Sequence, residues 1–227
     1  MNYITKINIL IKRKLFFYKL TRKILFSTLL QYKKLNIFNN LNLNKRSIFI
    51  DIGANEGLVA SYINDKFGCK IICFEPHPGC YSYLKKLFKY YTNIVIFNMS
   101  VSDKSSINEK LYLHKESKHS QEMTYAQGSS LESNKSNIDK DKFILSKTIS
   151  IGEILNNYDF IDVIKIDIET HEYKILPLIF DNMHKIGKIY CELNGSKKYL
   201  YLKHEYEFWV KKLKDANFYG SKFVEWS

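Results

Sequence analysis

Residues 47–57 read SIFIDIGANEG, a short apolar run broken by one acid and closed by two glycines four positions apart. Ile48, Phe49, Ile50 and Ile52 around Asp51, bounded by turn formers, predict a buried strand that stops at Gly53. Beyond Gly57 the apolar residues Leu58, Val59, Tyr62 and Ile63 recur at three- and four-residue intervals, which predicts a helix. The stretch is a strand, a glycine turn and a helix. Glycines let the backbone approach a ligand closely, and a helix N-terminus offers free amide donors. A tight turn that holds no ligand is the alternative reading of this stretch alone.

The turn is not the three-glycine dinucleotide fingerprint, and it lacks the lysine of a phosphate-binding loop. An acid at the strand end suits a cofactor that carries positive charge. S-adenosylmethionine has such charges, an amino group and a sulfonium, and no phosphates. The next apolar run, KIICF at 70–74, ends in Glu75, 24 positions after Asp51. An acid at about that distance, on the tip of a second strand, suits ribose hydroxyls, because a carboxylate accepts two O–H donors at once.

The segments IDIGANEG, CFEPHP, NMSVSD, DVIKIDIETHEYKIL and YCEL follow in that order. Together they resemble the FkbM family of S-adenosylmethionine-dependent methyltransferases, over roughly Ser47 to the C-terminus. The resemblance implies a Rossmann-like class I sheet, doubly wound and mostly parallel, with S-adenosyl-L-methionine as cofactor. It places Asp51, Gly53, Asn55, Gly57, Glu75, Ser100 and Val101 on the cofactor, the last two in the segment that passes the adenine side. It implies transfer to a hydroxyl of a sugar, a glycan or another small molecule. One departure stands out. The family's acid-glycine-x-acid segment is Glu169-Thr170-His171-Glu172 here, with a threonine where glycine is common.

Charge is distributed unevenly. Eleven of the 35 Lys and Arg residues fall in residues 1–46, which hold no acid, so 24 bases face all 23 acids in the remainder. The net charge of +12 therefore belongs to one end, and a nucleic-acid partner, which would call for basic charge around the site, is not expected. Ile4 to Leu43 contains neither Gly nor Pro and mixes apolar with basic residues, which predicts one or two imperfectly amphipathic helices. No apolar run approaches 18 residues and no small-residue cleavage site follows Ile24–Leu30, so neither a membrane span nor a secretory signal is expected. The chain is read as a basic helical extension (1–46) and a methyltransferase domain (47–227). The extension is suited either to peripheral membrane contact or to packing on the domain or a partner subunit. A cytoplasmic location follows, and the four cysteines, without metal spacing, fit reduced buried thiols.

Along the domain, His77–Tyr90 predicts a second helix, Asn93–Met99 a third strand, Ile161–Ile168 a fourth and Lys188–Leu193 a fifth. Residues 104–147 are polar, with one short strand at Lys110–His114, and are read as a substrate loop or lid. His114 and His119 have no acid or cysteine at ligand spacing, so no metal site is expected there. Charges at the end of a buried strand are costly unless they face a site, which makes Asp167, Glu169 and His171 the candidate catalytic residues. Glu169 and Glu172 can equally cap the helix predicted at Thr170–Phe180. A divalent cation held by Asp167, Glu169 and Glu192 is a further possibility left open. The rival functional class is an inactive, membrane-docked or cofactor-binding protein of the same fold.

Overall fold

Strand β1 (Ile48–Ile52) lies near the middle of a six-stranded sheet and supplies both of its faces. Ile50 and Ile52 point to one side and Phe49 to the other, and all three are fully buried, as the alternation of a strand requires. The computed structural model describes residues 35–193 and 200–226. Most of the basic extension therefore lies outside the described residues. Its last part, Leu35–Phe38, is a short 3-10 turn whose Leu35 and Phe38 enter the core beside Phe49.

After β1 the chain alternates as the apolar periodicity predicts: α1 (Leu58–Phe67), β2 (Lys70–Phe74), α2 (Pro78–Leu87) and β3 (Ile94–Phe97). It then leaves the sheet. β4 (Ser100–Ser102), β5 (Ser106–His114) and β6 (Ile138–Ser150) form a second, three-stranded sheet in the order β4-β6-β5. The chain returns through α3 (Ile151–Asn156) to β7 (Ile161–Ile166), α4 (Glu172–Asp181), β8 (Ile186–Cys191), α5 (Lys203–Asp215) and β9 (Phe223–Glu225).

The main sheet runs β3-β2-β1-β7-β8-β9, and every pairing in it is parallel. The strand order reverses between β1 and β7, which opens a crevice at the carboxyl ends of those two strands. One core layer, with Ile151, Leu155, Ile175 and Trp209, covers one face, and a second, with Tyr62, Ile63 and Leu84, covers the other. This is the Rossmann-like, doubly wound class expected.

The expected loop at 104–147 is corrected. Its two ends are the antiparallel strands β5 and β6, and residues 115–137 form the connection between them. Alternation in β6 is obscured because the consecutive residues Lys140, Asp141, Lys142 and Phe143 are all exposed, where its pairing with β5 shifts register, so polarity hid the strand. Among the described residues no helix is long and apolar enough to cross a membrane. The four cysteines are free and buried.

Candidate active site

Parallel register aligns the strand ends. Phe74 pairs with Ile52, Ile52 with Ile166 and Ile166 with Cys191, so the next residues, Glu75, Gly53, Asp167 and Glu192, form a row across four strands. At the usual strand spacing that row spans about 14 Å. It forms part of the wall of a cavity of about 610 Å³, which continues onto the 115–137 connection through Tyr125, Ser129 and Asn137.

The turn after β1 is built from left-handed backbone. Gly53 (φ 78), Asn55 (φ 47) and Gly57 (φ 73) alternate with ordinary residues, and asparagine is among the few side chains that tolerate this region. The glycines are there for packing as much as for ligand. A Cβ on Gly53 would lie 1.9 Å from the Asp167 carbonyl oxygen, and one on Gly57 2.6 Å from Leu84. Gly53 and Asn55 line the cavity, whereas a side chain at Gly57 would meet α2.

Asp51 lies one layer behind the described cavity lining. Its carboxylate is fully buried behind Lys165, at 3.2 Å, and is not part of the cavity wall. The two residues sit opposite each other in the β1–β7 register, so their side chains share a face. Lys165 Nζ also donates to the Gly53 carbonyl at 2.7 Å, and it is Lys165 that reaches the cavity. Burial works against the lysine's charge, but the carboxylates of Asp51 and Asp167 overcome it and move its pKa up. Sequence reasoning noted Lys165 only as a charge in a buried strand. That cost is the signal that finds it.

Glu75 is held from behind. The backbone N–H of Asn55 donates to its Oε2 at 2.7 Å and that of His77 to its Oε1 at 2.8 Å. Each oxygen keeps a lone pair for a hydroxyl donor. Burial, only partly offset by those two bonds, pushes its pKa up to about 7. Ser100 and Val101 line the cavity beside it, as β4 rather than as a turn, and the Ser100 hydroxyl lies 3.1 Å from that of Ser146.

The three candidate catalytic residues all line the cavity but are differently free. Glu169 Oε2 is 2.5 Å from the ammonium of buried Lys135, which also donates to the Gly128 carbonyl. His171 has both ring nitrogens engaged, Nδ1 with Glu132 Oε1 at 2.7 Å and Nε2 with Ser102 Oγ at 2.9 Å. The hydrogen bond from His171 holds the Glu132 carboxyl below its usual range. Asp167 is left with its carboxylate partly exposed, 3.8 Å from Lys165. Burial and the neighbouring, hydrogen-bonded Asp167 push Glu192 up to about 8.

Glu172 is fully buried, and its Oε1 accepts from the Ile168 N–H at 2.9 Å, closing the loop that carries Asp167 and Glu169. Lys135, Glu132, Ser130 and Ser102 are all bound to that loop, and none was assigned to the site from sequence. Ser102 lies in the NMSVSD segment, whereas Glu132 and Lys135 lie in a polar stretch where nothing local marks them. Among the described residues no group of three or more His, Cys, Asp or Glu is placed to hold a metal ion, so Asp167, Glu169 and Glu192 do not converge as a cation site.

Residues 51–219 match a family model described as the methyltransferase FkbM domain. No curated protein matches the chain in sequence. Solved structures that share part of its chain path include precorrin 8W decarboxylase from Methanobacterium thermoautotrophicum, at 13% identity over 82% of this chain and 70% of that one, TM-score 0.43. Precorrin-6y C5,15-methyltransferase from Geobacter metallireducens aligns at 11% identity over 82% and 71%, TM-score 0.45. The cyclopropane synthase MmaA2 from Mycobacterium tuberculosis aligns at 11% over 86% and 56%, TM-score 0.42.

Proposed function

Since the chain belongs to the FkbM family of methyltransferases, we propose that it transfers the methyl group of S-adenosylmethionine to a hydroxyl of a sugar, a glycan or another small molecule. The observation that carries this reading is the row Glu75, Gly53, Asp167 and Glu192 at the switch point of the sheet, with an open cavity above it.

The residues present fit the cofactor. Carboxyl groups predominate over the single lysine on the wall, which favours a guest with an ammonium and a sulfonium. Glu75 is fixed by two backbone donors and keeps acceptor capacity for ribose hydroxyls. When bound, the cofactor supplies a methyl carbon activated by its sulfonium.

What the chain contributes is chiefly alignment. Well-held reactants can be worth up to about 7–11 kcal/mol, and the row fixes its parts on rigid strand ends. Asp167 is the group placed to take the acceptor's proton, since Glu169 is held by Lys135 and both nitrogens of His171 are occupied. The hydroxyl- and amide-rich part of the lining suits a polyhydroxylated acceptor: the His114 and Tyr125 rings stack on each other at 5.1 Å, and Thr124, Ser129, Ser130 and Asn137 line the same cavity.

The test is transfer of labelled methyl from S-adenosylmethionine to a panel of monosaccharides, glycans and simple alcohols, followed by mapping of the labelled oxygen. Asp167→Asn is expected to lower the rate by about 10²–10⁴ while S-adenosylhomocysteine still binds. An unchanged rate in that variant, or label found on carbon or nitrogen, would overturn the reading.

A further inference from the structure

His77 presents an unresolved account of polar groups. It is 1% exposed, yet neither of its ring nitrogens has a hydrogen-bond partner in the protein. A buried donor or acceptor left unpaired is costly, so an orphaned pair of ring nitrogens points to a partner outside the protein. His77 belongs to the cavity wall, together with Glu75 and residues of the 115–137 connection. α2 begins at Pro78, and a Cβ on Gly79 would lie 2.4 Å from the Gln121 carbonyl oxygen, so the connection packs directly on the start of this helix. The cavity that His77 lines is the open side from which a partner can come.

We infer that His77 is a direct ligand to the nucleoside half of the cofactor, an inference that rests on the cofactor reading above. The strand row decides which half. Asp167 and Glu192 stand at the ends of β7 and β8, where the acceptor and the reacting carbon must meet. Glu75 and His77 stand at the end of β2, two strands away, about 10 Å at sheet spacing. A cofactor with its sulfur near Asp167 extends its nucleoside toward β2. The backbone N–H of His77 anchors the same Glu75 carboxylate that faces the ribose, so side chain and main chain of one residue serve the same moiety. Burial pushes the imidazole's pKa down to about 4, and the neutral ring carries one donor and one acceptor, the complement of an adenine edge or a ribose hydroxyl.

The experiment measures binding rather than turnover. Isothermal titration of the full chain with S-adenosylhomocysteine and with 5′-methylthioadenosine, which keeps the nucleoside and lacks the amino acid, is run on wild type and His77→Phe. Weakening of about tenfold in the variant, by the same factor for both ligands, is expected. Unchanged affinity in a folded variant, or a loss confined to S-adenosylhomocysteine, overturns the assignment. If His77→Phe does not fold, the imidazole proton resonances of His77 in wild type decide it. They shift on addition of 5′-methylthioadenosine if the ring is a ligand and stay in place if it is not. A wild type that binds neither ligand would remove the cofactor reading itself, an outcome distinct from a failure of His77 alone.

Discussion

At the residue scale, the site depends on side chains in unfavourable places. Thr170 has φ 84 and follows Glu169 at φ 58, so two consecutive residues with Cβ atoms occupy the left-handed region. For a β-branched residue this is strained by about 1–2 kcal/mol. Strain of this kind persists where surrounding contacts hold it, and here the Ser130 hydroxyl donates to the Glu169 carbonyl while Lys135 grips its carboxylate. Thr170→Gly is expected to raise stability by about 1 kcal/mol, seen as a melting temperature roughly 2–4 °C higher. A fall would mean that the side chain's packing outweighs its backbone strain. Lys165 makes the opposite kind of prediction. Lys165→Met leaves Asp51 charged and buried without its partner and should cost about 3–5 kcal/mol, whereas adding Asp51→Asn should recover much of it. Equal stabilities for single and double variants in denaturant titrations would contradict the pairing. The sequence announced that Thr170 was unusual, because a glycine belongs there by family pattern. It did not announce Lys165, whose partner lies 114 residues earlier and is brought opposite only by the register of two strands.

At the scale of elements, the parallel strands were readable to within a few residues. Buried on both faces, they appear as short apolar runs, and the expected Lys188–Leu193 is observed as Ile186–Cys191. The helices were readable from three- and four-residue spacing, with starts displaced by a residue or two, as at Glu172 rather than Thr170. The latter half of β5 was readable as the short strand Lys110–His114, but most of β6 was not, since a sheet with one face in solvent shows a diluted alternation and this strand is rich in lysine and aspartate. The consequence reaches the site. The connection between β5 and β6 supplies Ser130, Glu132 and Lys135, which tie it to residues 169–171. Lys135→Met should therefore loosen that loop without disturbing the sheet. Amide exchange at residues 168–172 is expected to accelerate while β1 and β7 stay protected. Unchanged exchange in the loop would show that Glu172, through its bond to Ile168, is sufficient to hold it.

At the scale of the whole molecule, the site concentrates acid groups that burial keeps from ionising. Glu75 is pushed up to about 7 and Glu172 and Glu192 to about 8, from an ordinary 4.5. Between pH 4.5 and 8 the native state therefore binds protons that the unfolded chain has released, and stability falls as pH rises through that interval. The ligand-free protein should melt at a higher temperature at pH 5.5 than at pH 8, and Glu172→Gln should flatten the slope. A melting temperature that rises over the same range would contradict the burial of these carboxyls. Ionisation of Glu75 improves it as an acceptor for hydroxyl donors, so cofactor affinity should increase across pH 6–8, in the direction opposite to stability. The alternation of strand and helix, the glycine turn and the acids at strand tips made the fold and one half of the cavity accessible from sequence. The half built by the second sheet was not, because its contacts depend on segments 34–46 residues apart that meet only after the sheet has formed.

The central claim is that the carboxyl ends of β2, β1 and β7 hold S-adenosylmethionine. Isothermal titration of the purified chain with S-adenosylhomocysteine, with NAD as control and Glu75→Ala alongside, tests it most directly. Saturable binding of S-adenosylhomocysteine by wild type, none of NAD, and a loss of at least tenfold in Glu75→Ala are predicted. A folded wild-type protein that ignores S-adenosylhomocysteine, or binds it equally well without the Glu75 carboxylate, would contradict it.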